Sequence, residues 1–262
     1  MPATPSLSRS SPAERLVRWG VTLAVVGALV VFLAGTGPRN GWEWSRVWGD
    51  RDRAGWRPAF ARAVLTTLES SAAALLVALV LGFAGGLARL SRRPWLDQLG
   101  AVYVEGVRGT PLLVQLFVAV YCVGYSLGLD DPMLVGTLTL GVFAGAYVSE
   151  IVRAAVQSVD PGQTEAALSQ GMSRAQALRH VILPQALRRM LPPMTGEFVS
   201  LVKDSSLLSI VGVVEITKRA NEAQADTYRT YEIYLPVAVL YFAITFPLSR
   251  LARRLELRSA AP

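Results

Sequence analysis

Residues 20–35, 70–88, 110–129, 132–149 and 233–249 carry no charge and are dominated by apolar side chains. Each run approaches the roughly 20 residues that a helix needs to cross about 30 Å of hydrocarbon. A further run, 191–214, has similar length but is interrupted by Glu197, Lys203 and Asp204. The pattern predicts an all-α, polytopic membrane helix bundle of about six transmembrane helices. The first run is read as a retained span, since it is long and no small-residue cleavage motif stands out after it. Between the fourth and fifth spans, residues 160–184 break the apolar pattern with small and polar side chains.

Composition agrees with the pattern: 52% of the 262 residues are hydrophobic, and the mean hydropathy is +0.38. The net charge of +7 rests almost wholly on arginine, because Lys203 and Lys218 are the only lysines. Arginines flanking membrane spans and facing anionic lipid account for that charge without nucleic acid. With the N-terminus placed inside, sixteen of the 26 basic residues fall in inside segments and nine outside. The bias predicts cytoplasmic N- and C-termini, against the arginines of 39–62. That segment also holds Trp42, Trp44, Trp48 and Trp56, residues favoured at a membrane interface. Cys122 stands alone, which excludes an intrachain disulfide or a multi-cysteine metal site. The expected divisions are a cytoplasmic tail (1–18), a first span (19–35), a periplasmic or interfacial insert (36–62), a core (63–250) and a cytoplasmic tail (251–262).

The polar interruption reads as two short helices. Asp160 caps a start and Pro161 suits the first turn. Glu165, Ala166, Ala167 and Leu168 are good helix formers, and Gly171 is a natural stop. Ser173, with Gln176 three residues on, has capping-box spacing. Pro184 disfavours helical geometry at Leu183, so the second helix is expected to end there. Small side chains at Ala166 and Ala167 suit close approach by another surface. These signals alone also fit an ordinary cytoplasmic loop.

Glu165-Ala166-Ala167, then Gly171, then Leu183-Pro184 resembles the "EAA" loop of ABC-importer permeases, with Val181 where the pattern usually has Ile. The segments "RGTPLLVQLF" (108–117), "GAYVSEIVRAAVQSVDPGQTEAA" (145–167) and "KDSSLLSIVGVVEI" (203–216) resemble the polar amino-acid branch of that family. With Thr66-Thr67-Leu68, the likeness covers roughly 61–250 and leaves out the tail and the Arg/Trp-rich insert. It implies a type I importer-like permease subunit in the bacterial cytoplasmic membrane, with the loop 160–184 as coupling helix. ATPase docking is then expected at Glu165, Ala166, Ala167, Leu168, Gly171, Met172 and Ser173. Implied partners are a cytoplasmic ABC ATPase dimer, a second permease subunit, an extracytoplasmic amino-acid-binding protein and membrane lipid. The chain contains no Gly-Lys dipeptide and hence no P-loop of the G-x-x-x-x-G-K form. ATP and magnesium therefore belong on the partner ATPase, with no cofactor expected on this chain, which is read as a transporter subunit and not an enzyme.

Charged residues within spans usually face a bundle interior or a watery cavity. Glu197 and Asp204 lie seven residues apart, nearly two helical turns, with Ser200 between them and Ser205 and Leu208 alongside. That face, with Gln115 and Glu69 on other spans, is the candidate translocation path; a polar helix–helix contact is the plainer alternative. Glu150 and Arg153 have ion-pair spacing. Gly82/Gly86 and Gly141/Gly145 are G-x-x-x-G pairs suited to close helix approach, within one subunit or between two. "GYSLG" (124–128) mimics a hydrolase elbow, but Ser126 and the lone His180 are expected a bilayer apart. Two rival functions remain: a secondary transporter or channel using Glu197, Lys203 and Asp204 for ion coupling, and a membrane scaffold for which the loop is only a docking patch.

Overall fold

The computed structural model describes residues 41, 44, 47–48 and 55–259, so the first predicted span and most of the insert lie outside the described residues. Among those described, all regular structure is helical. Helix α1 is Trp56–Arg89, α2 Pro94–Arg108, α3 Leu112–Leu127 and α4 Pro132–Gln157. Two short helices follow, α5 (Pro161–Ser169) and α6 (Arg174–Ala177), then α7 (Leu183–Asp204), α8 (Ile216–Thr227) and α9 (Thr230–Ser259).

Among the described residues α1, α4 and α9 are each long and apolar enough to cross a membrane; the pair α2–α3, bent by 101°, is apolar enough to make either a broken fourth span or a re-entrant loop. α1 begins at Trp56, so the end of the segment assigned to the insert is helical. α7, which packs against α9, α4 and α1, is less apolar because it carries Arg188, Arg189, Glu197, Lys203 and Asp204.

α1 and α4 run side by side in the same direction. Gly141 meets Val77, Gly145 meets Leu81 and Gly86 meets Val152. A Cβ added at Gly86 would stand 2.6 Å from Val152, and one at Gly141 2.6 Å from the Val77 Cβ. Both G-x-x-x-G pairs are thus spent within this chain, where the missing side chains let two backbones close together. α2 crosses this pair, burying Gly100 and Val104 and leaving Trp95, Leu99 and Val102 exposed. The Tyr103 hydroxyl donates to the Val142 carbonyl at 2.7 Å, and Arg89 pairs with Asp97 at 3.2 Å.

The main core joins α1, α3, α4 and α7 around Leu116, Leu140, Val148, Met190 and Leu208. A second core gathers Phe60 and Ala63 of α1, Ile216 and Ala220 of α8, and Ile233 of α9. Buried Glu215 caps α8, accepting from the Lys218 amide at 2.7 Å and from the Tyr241 hydroxyl at 2.7 Å. Burial pushes its carboxyl above the ordinary range, and its hydrogen bonds pull partly back. Thr67 of α1 accepts from the Ile216 amide at 3.3 Å, tying the start of α8 to α1.

Candidate functional site

The coupling end is built by local signals. Asp160 caps α5 through its carboxylate, which accepts from the Gly162 amide at 2.7 Å. At the other end of α5, the Gly171 amide donates to Leu168 and the Met172 amide to Ala167. These two bonds, with Gly171 at φ +84°, are a Schellman termination, which satisfies the last carbonyls only if the turn residue is left-handed. Ser173 and Gln176 exchange both bonds of a capping box, restarting the chain as α6.

Glu165, Ala166, Gly171 and Ser173 are exposed, whereas Leu168 and Met172 are half-buried. Ala167 is 4% exposed and closes against the chain itself. Neighbouring helix positions diverge by about 100°, so the two alanines cannot both face outward. The expected helix end at Pro184 is not observed. The chain stays helical from 174 to 204 because residues Leu178–Ile182 form a π turn, in which the Leu183 amide reaches the Leu178 carbonyl. The wider turn re-registers the hydrogen bonds and takes Pro184 into the first turn of α7, where a proline is tolerated.

Contacts distant in sequence hold this end to the bundle. The Arg189 guanidinium of α7 donates to the Ser158 hydroxyl at 2.9 Å and to its carbonyl, at the foot of α4. The Gln185 amide donates to the Gln163 side chain of α5 at 3.2 Å. Ala155, Val159, Ile182, Ala186 and Met190 pack together beneath these tethers. The partners in these tethers lie 22 and 31 residues apart, beyond the reach of any local sequence signal. The pair Glu150–Arg153 forms as its spacing predicted, with Arg153 Nε 3.0 Å from the carboxylate.

The path candidates occupy three separate places. Glu197, Ser200 and Asp204 are half-buried along α7. Ser205 and Leu208 do not join them; both are fully buried, and the Ser205 hydroxyl donates to the Val202 carbonyl at 2.9 Å. Past Asp204 the helix tightens to a 3₁₀ turn (Ser205–Val211), in which residues three apart eclipse, so 205 and 208 both turn to the core. Glu69 is exposed on α1 and, with Asp131 and Gly212, lines an open cavity of about 400 Å³. Gln115 lies at the 101° bend between α2 and α3. Its amide donates to the carbonyls of Val107 at 2.7 Å and Thr110 at 3.1 Å, and to the Thr110 hydroxyl at 2.8 Å. It also edges a largely apolar cavity of about 550 Å³ between α3 and α4.

A family profile described as binding-protein-dependent transport system inner membrane component matches residues 78–260. The glutamine transport system permease protein GlnP of Escherichia coli (strain K12) is 37% identical over 218 residues, covering 82% of this chain and 97% of that one. The L-cystine transport system permease protein TcyB of Bacillus subtilis (strain 168) is 36% identical, over 77% of this chain and 86% of its own. A solved structure described as an amino acid ABC transporter with histidines superposes with a TM-score of 0.73 at 36% identity, over 79% of this chain and 97% of that chain. The inward-facing MetNI methionine ABC transporter shares the fold, with a TM-score of 0.63 at 20% identity, over 75% of this chain and 96% of that chain.

Proposed function

We propose, from the premise that this chain belongs to the family of inner-membrane components of binding-protein-dependent transport systems, that it carries a polar amino acid inward across the cytoplasmic membrane. It is a multi-pass permease subunit of an ABC importer, and ATP hydrolysis resides on a separate subunit. Membership leaves no ground for the secondary-transporter or scaffold readings. The amino-acid class is taken from relatives that carry glutamine and cystine by name.

In this reading the core of 63–250 docks a cytoplasmic ATPase dimer through the loop 160–184. Glu165, Ala166, Gly171 and Ser173 present the contact, with Leu168, Met172 and Ala167 seating α5 from behind. ATP and magnesium are bound by that partner. Two permease subunits, identical or related, enclose the path, and an extracytoplasmic amino-acid-binding protein delivers substrate. Both termini are cytoplasmic, with membrane lipid around the bundle. Glu197, Ser200 and Asp204 line the path on α7, and Glu69 stands nearer its outer mouth; Ser205 and Gln115 support the wall.

The observation that carries the docking assignment is α5 itself: a capped, Schellman-ended helix showing Glu165 and Ala166 outward while Ala167 is seated. Its test is co-purification of the tagged chain from its native membrane. Wild type should bring down an ABC ATPase, and Glu165→Lys should lose it while the chain still reaches the membrane. Retention of the ATPase by that variant would remove the docking assignment.

A further inference from the structure

α7 is two mechanical parts. Its lower turns are fastened to α4 by Arg189 and to α5 by Gln185. Its upper turns carry Glu197, Ser200 and Asp204, and between the parts lie Pro192 and Pro193. Neither proline has an amide hydrogen for the carbonyl four residues back, at Arg188 and Arg189. Gly196, one turn on, has open space where a side chain would stand. A helix that lacks two successive rungs beside a glycine bends more easily there than elsewhere.

We infer that Arg189 is a positioning residue for energy coupling. Its guanidinium fastens the lower turns of α7 to the foot of α4 and, with the Gln185–Gln163 bond to α5, makes these segments one body that swings about Pro192–Pro193. This rests on the reading of the chain as an ATP-driven permease docked through α5. Ser158 is the C-cap of α4, so its carbonyl is one of those that a helix end leaves without an intrahelical amide. The Arg189 Nη1 satisfies that oxygen, brings a positive charge that complements the helix dipole, and also reaches the hydroxyl of the same residue. Gln163–Gln185 closes the opposite side, and Ala155, Val159, Ile182, Ala186 and Met190 fill the space between. A displacement imposed on α5 therefore reaches α4 and α7 together. Without the guanidinium, the last turn of α4 and the lower part of α7 lose this directed hydrogen bond and rely more on apolar contact, which slides more readily.

The test uses the complete importer, permease with ATPase and binding protein, reconstituted in vesicles. Amino-acid uptake and ATP hydrolysis are read on the same sample. Arg189→Ala should lower uptake per ATP by about five-fold, the scale of one net hydrogen bond, since both bonds to Ser158 are open to solvent. Hydrolysis and subunit stoichiometry should stay at wild-type levels. Arg189→Lys should recover part of the ratio, because the charge and a single donating nitrogen are kept on a differently shaped side chain. An unchanged ratio in Arg189→Ala would overturn the inference. So would a parallel fall of uptake and hydrolysis with loss of ATPase, which marks a structural brace. A second variant keeps the clasp shut: Ser158→Cys with Arg189→Cys, in a Cys122→Ser background, joined by a short bis-thiosulfonate linker. Sustained uptake after linking is expected of a body that moves as a unit, and blocked uptake would show that the clasp must open. If wild type itself hydrolyses ATP without uptake, the functional reading fails and takes this inference with it.

Discussion

Gly171 offers a perturbation whose physics is confined to the backbone. It sits at φ +84°, and a Cβ there would meet no atom within 4 Å. A substitution therefore meets no clash, only the intrinsic penalty of a left-handed conformation for an L residue, about 1–3 kcal/mol. The penalty is small for asparagine, about 1 kcal/mol for alanine and larger for a β-branched residue. At about 2 kcal/mol, Gly171→Val would reduce the advantage of the Schellman turn over competing turns roughly thirty-fold. The two bonds that end α5, from the Gly171 and Met172 amides, would be lost, and the aim of Glu165 and Ala166 with them. In reconstituted vesicles, uptake per ATP should rank wild type and Gly171→Asn together, then Gly171→Ala, then Gly171→Val, which uncouples hydrolysis from uptake. Wild-type coupling in Gly171→Val would refute the reasoning. Equal damage from asparagine and valine would refute it differently, by showing that the ATPase needs the bare surface and not the turn.

Gln115→Leu leaves the half-buried Val107 carbonyl and the exposed Thr110 carbonyl without their side-chain donor, a loss on the scale of about 1 kcal/mol for a net hydrogen bond. The melting temperature in detergent should fall with substrate preference unchanged; altered preference at an unchanged melting temperature would instead make Gln115 a path residue. Gly86→Ala places a methyl 2.6 Å from Val152, and overpacking of this kind typically costs about 1–3 kcal/mol. Adding Val152→Ala should recover most of the lost thermal stability, and no recovery would mean that this contact does not set the helix separation.

What could be read in the sequence was local. Asp160, Gly171 and Ser173 act within three or four residues of themselves, so their caps and turn stood where expected. Glu150–Arg153 was legible for the same reason. Pro184 was misjudged because a π turn changes which amide each carbonyl needs, and nothing in residues 178–182 announces such a turn. Ser205 was placed on the polar face by an angle that holds only while the helix keeps its pitch, and it does not keep it past Asp204. The glycine pairs showed that a close contact exists, but not that α1 meets α4 in parallel. Arg189 and Ser158 lie 31 residues apart, and only folding makes them neighbours.

The seam between α1 and α4 also bears on how the chain is made. α1 leaves the ribosome before α4, with Gly82, Gly85 and Gly86 bare on the side that Val148, Ser149 and Val152 later fill. Val148 and Val152 arrive only with the second half of α4. Until then the newborn segment presents lipid with a notched, poorly filled surface. The interval between the synthesis of residue 86 and that of residue 152 is thus the stage at which membrane chaperones and proteases have most to recognise. A released chain truncated short of Val148 should be degraded faster than one truncated after the end of α4.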